Sequence, residues 1–244
     1  MNTRATAKIS NHFQNLFRSP DLYRHCYLPV TEEAKDPQRC HTFDAELSEE
    51  TRSAVRTCAR QLRCTPYVVL LAGYFRALSR LTGQFDMAVV TPLARRTHPQ
   101  TREMIADLIN LVPHRVPDLD RLSDIDLVAR LRYLVTEAAR NQDDQFDQVI
   151  DALNLPFPED RNALTGFSLN YMPQTAKATP SVRVHSDRGY KLKYDVLFLM
   201  RDFRNCLNVE IQYRSGLFDR AGIEAFFDLY ATPLKEISRD TRSH

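Results

Sequence analysis

Two guanidinium groups, Arg95 and Arg96, stand side by side just after an apolar run, residues 87–90, has ended in Thr91-Pro92. Segments that leave a strand are where sites gather, and a guanidinium withdrawn from water needs an anion or residual solvent. A second apolar run, residues 108–112, carries Asn110, with Arg115 just beyond it. An amide and a guanidinium at a strand end either pack and hydrogen-bond locally or line a channel. A third polar concentration is Asn141-Gln142-Asp143-Asp144-Gln145-Phe146-Asp147. Its acid pair has the groups for general-acid or metal chemistry, but no histidine or third carboxylate stands at ligand spacing. The run therefore reads as a helix end. None of the 7 histidines is adjacent to another. An imidazole is what a general base near neutrality requires. The two strings that offer one near an acid are His41-Thr-Phe-Asp44 and His185-Ser-Asp-Arg-Gly189. They read as a strand end near solvent and a surface strand or turn. Ser168 and Ser186 lack the G-x-S-x-G elbow of a serine hydrolase. Neither G-x-G-x-x-G nor a P-loop occurs in a chain with only 6 glycines.

The elements that must position these groups alternate between strand and helix patterns. Residues 1–8 read as disordered, residues 9–17 as a short helix with Ile9, Phe13, Leu16 and Phe17 on one face, and residues 21–39 as a Pro-punctuated loop. Residues 41–47 form a strand that delivers the chain to Ser48, whose hydroxyl and the following Glu49 and Glu50 suit a helix start. Thr65-Pro66 restarts a second helix, Thr as N-cap and Pro in the first turn. Residues 68–81 are apolar nearly all round, so this helix is expected to be buried. The runs 87–90 and 108–112 read as strands covered on both faces, since their apolar residues do not alternate. Ser123 with Asp126 approximates a capping box and opens a helix that turns Ile125, Val128, Leu131, Val135 and Ala138 to a core. A short helix through Leu153 follows. Residues 164–172 alternate as a half-buried strand, 182–185 form a weak strand, and 194–200 with 206–213 form a hairpin. Asp219 caps a last helix, which Pro233 is expected to kink or stop near Ala231.

Composition sets the bounds. The chain of 244 residues is 43% hydrophobic and 26% charged, enough for a core and ordinary for a soluble protein. A net charge of +2 gives no global reason to expect nucleic acid or an anionic membrane. The 5 cysteines are scattered without C-x-x-C and read as reduced thiols of a cytoplasmic protein. No apolar stretch is long enough to span a bilayer and the first residues lack a signal sequence.

The segment 87–116 resembles the condensation domains of nonribosomal peptide synthetases. Their usual form here is close to V-G-T-P-x-A-G-R-T-x-P followed by I-G-x-x-V-N-x-x-x-x-R. The likeness continues in order over roughly residues 43–237. It takes in the Leu-Ser-Glu-Glu helix, the Thr-capped buried helix, and Ser79-Arg80-Leu81-Thr82-Gly83-Gln84. It goes on through the 141–147 run in place of H-Q-D-x-P-F-E, Phe167 with Asn170 and Tyr171 in place of F-x-x-x-F-N-Y, and the ending Leu-Phe-Asp219. The resemblance implies the C-terminal lobe of such a domain, an α/β lobe like that of chloramphenicol acetyltransferase with a mixed β-sheet packed by helices. Residues 1–40 would be a tail, short helix and linker-like loop, 41–238 the lobe, and 239–244 a disordered tail.

In the family two such lobes meet in a V around a tunnel, and carrier proteins bring substrates on phosphopantetheine from opposite ends. The histidine motif H-H-x-x-x-D-G belongs to the N-terminal lobe, and this sequence lacks it, so no catalytic residue, metal or cofactor of its own is expected. Arg96 aligns with the Arg that partners the motif's Asp, while Arg95 replaces a Gly. The residues expected at the lobe junction or channel are Arg95, Arg96, Asn110, Arg115, Asn141, Gln142, Asp143, Asn170 and Tyr171. The function implied is that of a half condensation domain. It pairs with a separate N-terminal lobe, or binds carrier protein and synthetase partners without catalysis, with a homodimer as a further assembly. A stand-alone acyltransferase with a relocated base, or an inactive synthetase remnant, are the rivals.

Overall fold

In the computed structural model residues 10–17, 39–94, 109–153, 166–173, 194–203 and 206–240 are described. A six-stranded mixed sheet organises them. Its strands are β1 (Cys40–Leu47), β2 (Met87–Ala94), β3 (Ile109–Val116), β4 (Phe167–Pro173), β5 (Val196–Asp202) and β6 (Leu207–Arg214), in the order β1-β6-β5-β4-β2-β3. β4 runs parallel to β2 and β5, and the other neighbours are antiparallel. The β2–β4 join is narrow: its register is the single pair Val90 and Ser168. There the Ser168 hydroxyl donates to the Val90 carbonyl at 3.0 Å.

Among the described residues six α-helices accompany the sheet: α1 (Asn11–Leu16), α2 (Glu49–Gln61), α3 (Pro66–Thr82), α4 (Asp124–Arg140), α5 (Phe146–Leu153) and α6 (Arg220–Asp240). α3 is the one surrounded. It packs on α2, α4 and α6 and touches β2 and β4, and residues from Val68 through Phe75 are all buried. That is why its sequence is apolar all round rather than striped. Gly73 lets α6 come close, since a Cβ there would lie 2.5 Å from a Leu234 methyl. The main core joins this helix to Phe167, Leu169, Val196, Phe198, Met200, Val209 and Ile211, which alternate along β4, β5 and β6 as strand geometry requires. Ala88 and Val90 turn the opposite way and form a second, smaller core with Phe13 and Phe17 of the α1 segment and with Phe146 and Val149 of α5.

Several boundaries differ from the sequence reading, each for a packing reason. β3 runs on through Pro113 to Val116, which is tolerable because β3 is the outer strand of the sheet and a proline there breaks no second ladder. α6 continues past Pro233 to Asp240. Beyond the proline, Leu234 and Ile237 are both fully buried, and that burial outweighs the lost helical hydrogen bond. Thr65 sits at the N-cap of α3 with Pro66 behind it, but its side chain makes no capping bond. Ser48 and Ser123 do cap, accepting from Thr51 N–H and Asp126 N–H, and Asp219 Oδ1 accepts from Gly222 N–H at 2.7 Å. On α4 it is Leu127 and Leu134 that join Val128, Leu131 and Ala138 in full burial, while Ile125 and Val135 are only half-buried. The weak strand at 182–185, the disordered stretch 1–8 and residues 241–244 lie outside the described residues, whereas Arg239 and Asp240, expected in the disordered tail, belong to α6.

The densest part of the core is aromatic. Phe198 stands with ring centroids 4.8 Å from Tyr74, 5.0 Å from Phe226 and 5.4 Å from Tyr230. Phe198→Ala is expected to cost about 3–5 kcal/mol by opening a cavity that three rigid rings cannot refill, measurable as a loss of unfolding free energy in urea.

Candidate functional site

The residues singled out from sequence separate into distinct places. Asn110 is buried at the start of β3, where its amide donates to the Gln142 carbonyl at 3.1 Å and the Asp144 carbonyl at 2.8 Å. Its Oδ1 accepts from Phe146 N–H at 3.0 Å. Asn141 closes α4 by donating to the Glu137 carbonyl. Asp144 accepts from Ser10 N–H at 2.9 Å and so tethers α1. The 141–147 turn is thus a bracket that fixes two helices to β3. Gln142 takes part through its backbone, and Asp143 is exposed. Arg115 is equally committed to structure. It grips Asp86 through Nε at 2.8 Å and Nη2 at 2.5 Å, and donates from Nη1 to the Leu16 carbonyl at 2.9 Å. Asn170 and Tyr171 point to opposite faces of β4. Arg95 and Arg96 lie outside the described residues, as does His185.

Tyr171 alone leads to a cavity. It lies at the end of the parallel strands, where Asp202, the last residue of β5, collects donors from two elements. Asp202 Oδ1 accepts from Arg52 Nε at 2.7 Å and from Arg56 Nη2 at 3.1 Å, and Oδ2 from Arg56 Nη2 at 2.9 Å and from Tyr171 Oη at 2.6 Å. Arg52 is buried and also donates to Glu49 and to the Phe203 carbonyl, whereas Arg56 keeps 45% of its side chain exposed. Beside this hub opens a cavity of about 650 Å³ lined by Arg56, Ala59, Arg60, Cys64, Tyr67 and Pro173, together with Tyr171 and Asp202 themselves. Thr65 and Pro66, at the start of α3, complete the wall. Tyr67 is fixed there by a short hydroxyl contact to Thr91 Oγ1 of β2.

Electrostatics determine what this arrangement does. Burial alone would raise the Asp202 pKa, but the hydrogen bonds from Tyr171, Arg52 and Arg56 outweigh it and hold the carboxyl below its ordinary range. Tyr171 and Tyr67 are pushed up, chiefly by burial. Cys64 is pushed up to about 11 by burial and then by the neighbouring Cys58, against a smaller lowering by Arg132. It is therefore a neutral thiol at neutral pH, too slow a nucleophile for catalysis though still open to slow alkylation. Both oxygens of Asp202 are occupied by donors, so it is no general base either. The hub is a fully hydrogen-bonded anchor beside a cavity. His41 is exposed on β1 against the Tyr213 ring. His114 is buried on β3 and pushed down to about 3 by burial and by the nearby His12, so it stays neutral. Among the described residues no group of three or more His, Cys, Asp or Glu side chains gathers to hold a metal.

Arg52, Arg56 and Asp202 were missed from sequence. Two arginines one helical turn apart on α2 share a face, which was a usable signal. Nothing in the sequence named the acid 150 residues away that they both meet.

A family model described as the condensation domain matches residues 21–244. Surfactin synthase subunit 1 of Bacillus subtilis (strain 168) is 26% identical over 199 residues, covering 80% of this chain and 6% of that protein. Bacitracin synthase 1 of Bacillus licheniformis is 28% identical over 188 residues, covering 75% of this chain and 4% of that protein. The chain therefore spans a small fraction of these relatives. Among solved structures, a four-domain nonribosomal peptide synthetase bound to AMP and glycine superposes with a TM-score of 0.79 at 16% identity, over 93% of this chain and 19% of that one. The X-domain of teicoplanin biosynthesis in complex with OxyB gives 0.79 at 19% identity, over 94% of this chain and 53% of that one.

Two stability measurements check the electrostatics. Asp202→Ala leaves the buried Arg52 without its main anion and is expected to cost about 3–5 kcal/mol at pH 7. Because the folded pKa is lowered, this contribution is present above the ordinary carboxylate value of 3.8 and is lost as pH falls through the native value. The gap between wild type and variant should accordingly narrow in acid. His114 acts on a different window. The folded state refuses a proton that the unfolded chain takes up below the ordinary histidine value of 6.5, so stability falls by about 1.4 kcal/mol per pH unit below that point. His114→Leu is expected to flatten this limb in urea titrations between pH 6.5 and 4.5.

Proposed function

The chain belongs to the condensation domain family of nonribosomal peptide synthetases, and from that premise we propose that it is the C-terminal lobe of such a domain. In this reading it completes a peptide-bond-forming site only against an N-terminal lobe that supplies H-H-x-x-x-D-G. Substrates would arrive on the phosphopantetheine arms of carrier proteins, in the cytoplasm. The observation that carries the reading is the ordered run of motifs over residues 43–237 on a single six-stranded sheet. The chemistry of the candidate residues supports it: Asn110, Arg115 and Asp202 are tied into structure by their hydrogen bonds, and Asp202 is no free base. Arg96 is then the residue that meets the motif's Asp across the junction. Arg95, in place of a glycine, narrows the tunnel mouth.

A non-catalytic role in recruiting partners is the second reading. It is favoured by the X-domain, which shares this fold and is held in complex with OxyB. A lobe that presents its junction face to water is expected to associate through it, so the isolated chain should run as a homodimer or heteromer in light scattering; a monodisperse monomer at high concentration counts against this.

Co-expression with an N-terminal lobe bearing H-H-x-x-x-D-G provides the decisive assay. A stable heteromer is expected that forms an amide from a carrier-bound acyl donor and a carrier-bound amine, with neither half active alone. Arg96→Ala should lower that activity by about tenfold or more, since it leaves a junction carboxylate unpaired. A stable heteromer that turns over nothing would favour the recruiting role, and no association at all would overturn the lobe-pairing reading.

A further inference from the structure

We propose that the cavity beside Asp202 is a binding site for a small organic anion with an apolar body, a carboxylate or a phosphate monoester, with Arg56 as its anion-recognising group. This assignment is independent of the lobe-pairing reading. At about 650 Å³ the cavity has the size of small-molecule sites. Its walls, Ala59, Pro66, Tyr67 and Pro173, offer hydrocarbon and ring surface.

The polar groups decide the sign of the ligand. Asp202 is the acid that lines the cavity, and both of its oxygens are already taken by Arg52, Arg56 and Tyr171. It has no acceptor capacity left for a cationic or donor-rich guest. Arg56 spends only Nη2 on Asp202, so Nε and Nη1 keep their hydrogens for an incoming acceptor. Arg60, on the same wall, uses Nη2 on Thr57 Oγ1 and adds a second positive charge at the rim. The first turn of the 17-residue α3 also forms part of the wall, and a helix N-terminus favours negative charge. A purely apolar guest would desolvate Arg56 without compensation, and a bare ion would leave the walls unused. Asp202 also holds Arg56 in place before anything binds, which lowers the ordering cost of capture.

Titration calorimetry on the full chain tests this with three probes of equal chain length: octanoate, octyl phosphate and octanol. One anion or both should bind one to one, the tighter telling carboxylate from phosphate recognition. Arg56→Gln should weaken that binding by about tenfold or more and leave octanol unchanged. Because Arg56→Gln touches the Asp202 hub, a second readout uses the unaltered protein. Alkylation of Cys64, followed by peptide mass spectrometry, should be slowed by the anion and not by octanol. The assignment is overturned if neither anion binds, if octanol binds as tightly as the anions, if Arg56→Gln folds and binds them unchanged, or if Cys64 reacts at the same rate with and without them.

Discussion

Everything in this fold rests on the burial of one helix. α3 has apolar residues on every side because every side meets something: α6, α2 and α4 around it and the strands beneath. Its few polar side chains are placed where they tie it to neighbours. Arg76 reaches Asp124 at 2.7 Å and the carbonyls of Leu119 and Leu122, which seats the start of α4. Tyr67 at the other end meets Thr91 of β2. Hydrophobic burial is non-directional, so these bonds, with the close approach at Gly73, are what select one arrangement among many compact ones.

The second organising device is electrostatic. Asp202 brings the end of β5 to α2 and to β4 through three separate side chains. Such a hub is costly to desolvate and is sustained by the completeness of its hydrogen bonding. Arg115 with Asp86, and Arg214 with Asp195 at 3.2 Å, follow the same rule at other strand ends. The polar residues of this chain are thus largely spent on architecture, whereas Arg56, with 45% of its side chain exposed, lines the cavity.

Much of the fold was legible in the sequence. The strand and helix order, the buried character of α3, the Ser48 and Ser123 caps and the β5–β6 hairpin follow from periodicity and local hydrogen-bond chemistry. Long-range energy was not legible. Pro233 is a local helix breaker, overridden by core contacts that only the tertiary structure supplies, and β3 extends past Pro113 because it is an outer strand. The site residues divide the same way. The motifs identified Asn110, Arg115 and Asn141 as special, but their spacing could not tell a channel wall from a structural bracket. The partners of Asn110 answer that, and they lie more than 30 residues along the chain. Tyr171 pointed to a real cavity, while Asp202 gave no signal, since a lone acid at a strand end looks like any other.

The pairing of the first strand with the last has a consequence in time. β1 finds its sheet neighbour in β6, with Cys40 opposite Arg214 and Leu47 opposite Leu207, and α3 likewise awaits α6. On a ribosome, β1, α2 and α3 emerge long before those partners exist. Until β6 and α6 are made, this stretch therefore carries an unpaired strand edge and an uncovered apolar helix, the two features that invite misassembly in large domains with distant contacts. Contacts as distant as Cys40 with Arg214 give this sheet a high contact order, and it is complete only once β6 is in place.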